Sequence, residues 1–558
     1  MITMGISYGR YHDSSACITR DGHVIFASAE ERMSGVKHEA RFPSLAIRAG
    51  LECAGVGPGA VDAIYSGSGS PWEAYGTDLR SYLFGTIAPT AQNAYLSTLG
   101  LFNMVRDRNG KNCYRSEFRV SQARFRTINH HLAHAVSAYA LSGFDDAAVL
   151  VVDGRGSKEA TSIWHGVDGR LRLCYMIRWP NSLGLFYASM TGYLGFRPNC
   201  DEWKVMGLAP YGKPGISARS LIIPDQAPYW VHTRRLSDHM WTTHDPLVKL
   251  FGPARQPGDA VNQQHKDIAF AVQDACEIAM LTLSREARRL TGSSCLCLSG
   301  GVALNSKANG RIAASSLFDQ VFVDPAPADD GVAVGAALLP YLERDGRLPR
   351  LSIRDSYWGR SFSDADIEVA LRGCKLRYVS VAEPALVAAQ LLAESKIIGW
   401  FQGRAEFGPR ALGNRSILAD PRAGDMPDKL NRVVKFREPW RPFAPSILAE
   451  HASDYIDLGG PLRFMSMTAT VHPERRVTVP AITHVDGSTR PQTVERKDNS
   501  LYWQLIEEFR KLTGVPVVLN TSFNLQGEPI VDTPGDALRT FFSSGLDALV
   551  LGGYLVQK

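Results

Sequence analysis

Absences narrow this sequence first. No CxxC pair occurs among its nine cysteines, which run from Cys17 to Cys374 with Cys295 and Cys297 spaced CxC. A disulfide framework or a zinc ribbon uses paired spacings, so these read as free or buried thiols of a reducing compartment. The opening stretch MITMGISYGRYHDSS lacks the basic region and apolar run of a secretory signal. Nowhere does the chain hold an apolar run of about 18 residues, the least that crosses a bilayer as a helix. The expectation is a cytoplasmic protein with no membrane partner. Charge of one sign is lacking too: 61 Lys and Arg stand against 56 Asp and Glu, a net of +5. That balance gives no electrostatic footprint for nucleic acid. A GK[ST] phosphate loop, a repeat of 20–50 residues and low-complexity tracts are also missing.

What is present is an ordinary globular composition, 45% hydrophobic over 558 residues, long enough for two large domains. Short strands are expected around Ile6, at Ala16–Ile18 and at Val24–Ala27, the last two joined by the Asp21-Gly22 turn. Buried strands follow at 147–153 and 295–301, each running into a Gly-containing loop, with helices at 130–141, 266–290 and 306–315. The polar, Arg-rich stretch 343–364 reads as a linker. Beyond it the pattern restarts with a helix at 383–395, strands at 396–401 and 515–519, a helix at 535–544 and a strand at 547–551. Two different α/β domains are expected, 1–352 and 353–558.

Four places carry chemistry. In NHHLAHA, His130 and His134 are i,i+4 neighbours on a helix, so their imidazoles share a face, as two ligands of one metal must. Zinc or iron accepts imidazole. The alternative is a helix start with internally satisfied histidines. An oxygen ligand is expected from the Asp329-Asp330-Gly331 turn. Asp153-Gly154 and Ser299-Gly300-Gly301 through Asn305 close two buried strands; such loops let a phosphate approach backbone N–H groups, although both are also ordinary tight turns. His12-Asp13 sits between the first two strands, where a histidine serves as general base or as structure; Lys37-His38 follows in a loop. The C-terminal half concentrates anion binders: Arg404, Arg410 and Arg415, then Lys435, Arg437 and Arg441, then Arg490 and Ser522. These arginines alternate with Gly, Pro and aromatics, a pattern for a pocket holding a compact anion.

The motifs HDSSA, EERMSGVKH, NHHLAHA, VDGRGS, NSLGLFY, WKVMGLAPYG, LSGGVALN, DDGVAVGAA, GRAEFGPRALGNRSIL, FREPWRPFAP, DGSTRPQTV and NTSFNLQGEPI occur in this order. Together they make the chain resemble the NodU/CmcH-type O-carbamoyltransferases of natural-product and antibiotic tailoring. The resemblance implies an N-terminal domain of the actin/Hsp70/sugar-kinase (ASKHA) superfamily, similar to the threonylcarbamoyl-transfer enzyme of tRNA modification. It implies a C-terminal α/β domain similar to the YrdC-like fold that forms carbamoyl adenylate. It also implies carbamoyl phosphate and ATP as substrates, Mg(II) with the ATP, and Fe(II) or another divalent metal on His130, His134 and Asp329 or Asp330. Asp153, Gly154, Gly300, Gly301 and Asn305 would hold the adenylate, while Arg410, Lys435, Arg441, Arg490 and Ser522 would hold carbamoyl phosphate. His12, with Asp13, would meet a hydroxyl-bearing small-molecule acceptor.

Segments 66–125 and 215–262 match nothing in that family and are the expected acceptor-binding insertions. A monomer or homodimer is expected. Three other functions use parts of the same pattern: a sugar kinase, a tRNA threonylcarbamoyl-type enzyme and a nucleotide-gated binding protein.

Overall fold

The computed structural model describes residues 1–8, 12–69, 110–120, 124–236, 245–457 and 459–558. They form two compact units, Met1–Glu30 with His38–Ile353, and Glu31–Lys37 with Arg354–Lys558. A short N-terminal stretch thus groups with the second unit, which a single boundary along the chain does not anticipate.

The first unit contains one topology twice. Strand β1 (Ile2–Ser7) pairs antiparallel with β2 (Ser15–Arg20), and β2 with β3 (His23–Ala29). On its other side β1 pairs parallel with β4 (Ala63–Ser66), and β4 with β5 (Phe125–Thr127). Strand β6 (Asp146–Val152) repeats the role of β1. It is antiparallel to β7 (Glu159–Val167), which pairs with β8 (Arg170–Arg178), and parallel to β9 (Cys295–Ser299), which pairs with β10 (Gln320–Val323). The doubled order 3-2-1-4-5 is the arrangement of the actin/Hsp70/sugar-kinase superfamily. A whole sheet is the repeating unit, so no repeat of 20–50 residues shows in the sequence. Asp21 and Gly22 both have positive φ, 50° and 85°, as a two-residue hairpin turn requires.

Between the sheets lie α1 (His130–Ser142) and a later helix, Val332–Asp345, numbered α6 below. Helix α6 packs on β1 and on α1, and α1 packs on β6 and β9. The small residues of GVAVGAA make this closeness possible. A Cβ added at Gly335 would land on the Ala133 carbonyl, and one added at Gly5 on the Ala333 carbonyl. Around this core run α2 (Leu183–Tyr193), α3 (Glu202–Leu208), α4 (Gln263–Thr291) and α5 (Ser306–Ala314).

The second unit is built on an eight-stranded mixed sheet. Its strands are β11 (Val379–Ser380), β12 (Ile398–Phe401), β13 (Arg415–Ala419), β14 (Ala444–Leu448), β15 (Gln492–Val494), β16 (Val517–Ser522), β17 (Ala548–Leu551) and β18 (Tyr554–Gln557). Their spatial order is 11-18-17-12-13-16-14-15, with 12·17 and 14·15 parallel and the rest antiparallel. Trp400, Phe401, Phe509 and Phe541 fill the core with helices α7 (Pro384–Ala393), α8 (Ser500–Thr513) and α9 (Pro534–Phe542). Arg415 is buried whole. It stacks on Phe401 with 3.6 Å between guanidinium and ring centroid and donates to the carbonyls of Gln402, Gly403 and Asn414, which makes burial of its charge tolerable. Among the described residues no helix is long and apolar enough to cross a membrane.

Candidate metal and anion sites

Asn129 sets where α1 begins, its side chain accepting from the Leu132 amide at 2.9 Å. That start places His130 and His134 one turn apart on one buried face. Their Nε2 atoms are 3.2 Å apart. Asp329 Oδ1 lies 3.2 Å from His130 Nε2 and 3.8 Å from His134 Nε2, and Asp153 Oδ2 lies 3.3 Å from His130 Nε2. Asp330 faces elsewhere: its carboxylate accepts the Gly331 amide at 3.1 Å and its carbonyl the Ser15 hydroxyl at 2.7 Å.

These four groups fit a cation. His130 Nδ1 donates to the Gly67 carbonyl at 2.9 Å, so in the neutral ring Nε2 carries a lone pair. That lone pair faces two carboxylate oxygens and a second imidazole, so the cluster needs positive charge at its centre, from a second proton on His130 or from a metal. Ligands about 2.1 Å from one ion at angles of 90–109° stand about 3.0–3.4 Å from each other, and three of the four distances fall there. His134 Nδ1 meets the Ser299 hydroxyl at 3.1 Å, an outer partner that fixes the ring. Burial, then the charge of His130 nearby, holds His134 below its ordinary pKa. For Asp329 and Asp153 burial pulls upward, but His130 outweighs it and keeps both below the usual carboxylate range.

The two glycine loops meet at the same place. Asp153 Oδ1 accepts the Gly154 amide at 2.8 Å and the Gly301 amide at 3.2 Å, tying the ends of β6 and β9 together. Gly300, at φ 89°, has the Val152 carbonyl where a Cβ would go. Asn305 is engaged internally: it caps α5 through Ala308 N at 3.0 Å and exchanges two hydrogen bonds with Gln273.

His12 and His38 share one carboxylate. Asp13 Oδ2 is 2.9 Å from His12 Nδ1, and Asp13 Oδ1 is 2.8 Å from His38 Nδ1. Burial pulls both imidazoles down, but the hydrogen bond and charge of Asp13 win, raising His12 to about 9 and His38 to about 10. Asp13 is pulled upward by burial and held low by the two histidines. The charge of Asp329 also raises His12.

In the second unit Arg410, Arg437, Arg441 and Arg490 crowd together. Burial and the three other guanidinium charges push Arg490 well below an ordinary arginine, and burial brings Arg410 and Arg437 to about 10. Arg490 Nε and Arg437 Nη2 are buried without a hydrogen-bond partner among the described residues. Glu438, 3.6 Å from Arg441, is the nearby acid. Uncompensated guanidinium groups out of water need an anion. Lys435 works differently. Its ammonium donates to the Ser522 carbonyl and to the Asn524 carbonyl and side chain at 3.0 and 2.9 Å, so it braces the Asn520–Asn524 loop. Burial and the neighbouring Arg437, Arg441 and Lys37 push it well below an ordinary lysine. Ser522 Oγ donates to Asn524 Oδ1 at 2.8 Å.

A family model described as the carbamoyltransferase N-terminus matches residues 2–338, and one described as the carbamoyltransferase C-terminus matches 389–558. The chain belongs to the carbamoyltransferase family. The nodulation protein NolNO of Sinorhizobium fredii is 38% identical over 557 residues, 98% of this chain and 79% of that protein. An uncharacterized protein of Synechocystis is 37% identical, covering 100% of this chain and 96% of that one. The nodulation protein NolO of Bradyrhizobium diazoefficiens is 42% identical over 77% of this chain and 79% of its own. The chain is therefore a transferase enzyme whose group is carbamoyl.

For this carbamoyltransferase, sequence reasoning assigned Asp153 to the glycine loops alone and passed over Glu406. Asp153 faces the histidines as well as the glycine loops. Glu406 Oε1 gathers the amides of Leu412, Asn414 and Arg415 at 2.7, 2.8 and 3.1 Å, shaping the loop that carries Arg410; a lone acid in an Arg-Gly run was the available signal. Residues 70–109 and 121–123 of the expected insertion 66–125, and 237–244 of the other, lie outside the described residues.

Proposed function

We propose that this enzyme is an O-carbamoyltransferase that activates carbamoyl phosphate with ATP in the second unit and transfers carbamoyl in the first. The observation that carries this is the partly buried guanidinium cluster around Arg490. It matches a substrate with several anionic oxygens, and preorganised positive charge lowers the barrier where negative charge develops. Water releases phosphate from carbamoyl phosphate. The carbamate oxygen then attacks the α-phosphorus of ATP, expelling pyrophosphate and leaving carbamoyl adenylate. The adenylate is a good electrophile because AMP departs readily.

In the first unit, the Asp153-Gly154 and Gly300-Gly301 loops, whose glycine amides are tied to Asp153 Oδ1 and to the Pro327 carbonyl, shape the place where the adenylate comes close to the backbone. His130, His134, Asp153 and Asp329 would hold a divalent metal, with Asp329 supplying the oxygen that the Asp329-Asp330 pair offers. Such an ion, Fe(II) or another, supplies Lewis acidity toward a carbonyl or phosphate oxygen when bound. His12 Nε2, with Nδ1 fixed by Asp13, takes the proton of the acceptor hydroxyl from the neutral ring, the form that gains population as pH rises toward about 9. The acceptor is a hydroxyl-bearing small molecule of the sugar or natural-product class, in keeping with relatives named for nodulation.

The test is incubation with carbamoyl phosphate and radiolabelled pyrophosphate plus ATP, without acceptor. Label should enter ATP only when carbamoyl phosphate is present. No exchange, or release of ADP in place of pyrophosphate, rules the activation step out.

A further inference from the structure

Asp13 is held from two sides. Its Oδ2 accepts from His12 Nδ1 at 2.9 Å and its Oδ1 from His38 Nδ1 at 2.8 Å, and no other donor among the described residues reaches it. The backbone is shaped for that meeting. The Ser14 amide donates to the Glu39 carbonyl at 2.7 Å, so the residues that follow Asp13 and His38 are bonded to each other. Asp13 and His38 themselves both take the left-handed region, at φ 61° and 57°. Such backbone is uncommon outside glycine, persists only where the surroundings hold it, and gathers at functional sites. All three side chains are partly exposed, so an acceptor can reach them.

We propose that His38 is a positioning residue for carbamoyl transfer: it occupies one oxygen of Asp13 so that the other stays on His12 Nδ1, and His12 Nε2 remains the nitrogen that meets the acceptor hydroxyl. This rests on the reading of His12 as the base of the transfer step.

The tautomer of His12 is what His38 protects. An ionised carboxylate only accepts hydrogen bonds, so His12 Nδ1 carries a proton and, in the neutral ring, the lone pair lies on Nε2. A histidine ring left to itself favours the proton on Nε2, which would take that lone pair away. Asp13 reverses the preference only while an oxygen stays on Nδ1. A carboxylate held through one oxygen turns about its Cβ–Cγ bond and swings toward water. With an imidazole on each oxygen, the two rings 6.2 Å apart and 76° to each other, that rotation is closed. In Ser-His-Asp hydrolases a carboxylate fixes the tautomer of its histidine in the same way, and the wrong tautomer there costs about 10⁴-fold in rate. Here a second histidine fixes the carboxylate.

The test is nitrogen NMR of the full-length protein with ¹⁵N-labelled histidine rings, above pH 9, where His12 is neutral. His12→Gln assigns the His12 signals by removing them. In the parent, His12 is expected with its proton on Nδ1 and a bare Nε2. His38→Ala should lower the ratio of the Nδ1–H form to the Nε2–H form by about tenfold or more. His38→Asn should keep the parent ratio within about twofold, because its amide N–H stands where Nδ1–H stood and asparagine tolerates the left-handed φ. If His38→Ala does not fold, His38→Gln gives the same comparison, since its amide reaches the place of Nε2 and not of Nδ1. A parent-like ratio in the variant that lacks the donor overturns the proposal, and so does a His38→Asn ratio as low as that variant's. Pyrophosphate exchange dependent on carbamoyl phosphate is measured on the parent alongside. Its absence fails the activation reading alone, and the tautomer ratio still decides whether His38 positions His12.

Discussion

Asp153 reaches His130 Nε2 at 3.3 Å with one carboxylate oxygen, while its other oxygen accepts the Gly301 amide at 3.2 Å. One side chain therefore couples the buried histidine pair to the Ser299–Asn305 loop. Asp153→Asn keeps the size but removes the charge that offsets a cation among two buried imidazoles. Bound metal, measured by elemental analysis after purification in the presence of iron or zinc, should fall by about 10–100-fold in affinity, the usual cost of losing a charged partner at such a site. An unchanged metal content would place the ion elsewhere.

Asp13 gives a pH signature. It raises His12 to about 9 and His38 to about 10 from an ordinary 6.5. A raised histidine pKa stabilises the fold fully below about pH 6.5, and that contribution is lost as pH rises through 9 and 10. Asp13 itself titrates low, so its charge persists down to the acid range. The loss of thermal midpoint on Asp13→Asn should be largest near pH 6 and should shrink above pH 10. Asn tolerates the φ of 61° at this position, so backbone strain does not confuse the comparison. In the same variant the imidazole NMR resonances of His12 should shift to a much lower titration, at or below the ordinary 6.5, because burial then acts with little to oppose it. Titration still near 9 would remove Asp13 as the cause.

The extent to which the sequence foretold this site follows from how local each signal is. His130 and His134 are linked by one helical turn, so their convergence is written in their spacing, and their helix begins where the Asn129 cap puts it. Strands 147–153 and 295–301 were legible as continuous apolar runs and appear as Asp146–Val152 and Cys295–Ser299. The choice between Asp329 and Asp330 was not legible, because it depends on how the loop after β10 turns before α6 packs against Ala133. Lys435 looked like a phosphate ligand because its neighbours are arginines; that its donors go to Ser522 and Asn524, about ninety residues away, is a tertiary fact.

The guanidinium cluster predicts opposite signs for activity and stability. Arg490→Ala removes one of four mutually repelling, partly buried charges, so the ligand-free thermal midpoint should hold or rise. Pyrophosphate exchange should disappear, and Arg490→Lys should not restore it, since an ammonium cannot make the planar two-point contact. Inorganic phosphate should raise the midpoint of the parent by about 2.7 kcal/mol of stabilisation at a hundredfold excess over its dissociation constant, and raise that of Arg490→Ala far less. Equal phosphate responses would show that the anion binds elsewhere.

Gly335 tests whether the helix pair beneath the histidines sets their geometry. A methyl group there collides with the Ala133 carbonyl, on the turn between His130 and His134. Neither helix can retreat freely, because α6 is held by β1 through the equally close Gly5 and α1 by β6 and β9. Overpacking of this kind costs about 1–3 kcal/mol or more. Gly335→Ala should therefore lower the thermal midpoint by several degrees and reduce bound metal together. Gly373→Ala is the matched control: it ends a helix with nothing near the added methyl and should leave both unchanged. A Gly335→Ala protein with lowered stability and full metal content would mean that α1 shifts as a rigid unit, with the ligand face preserved.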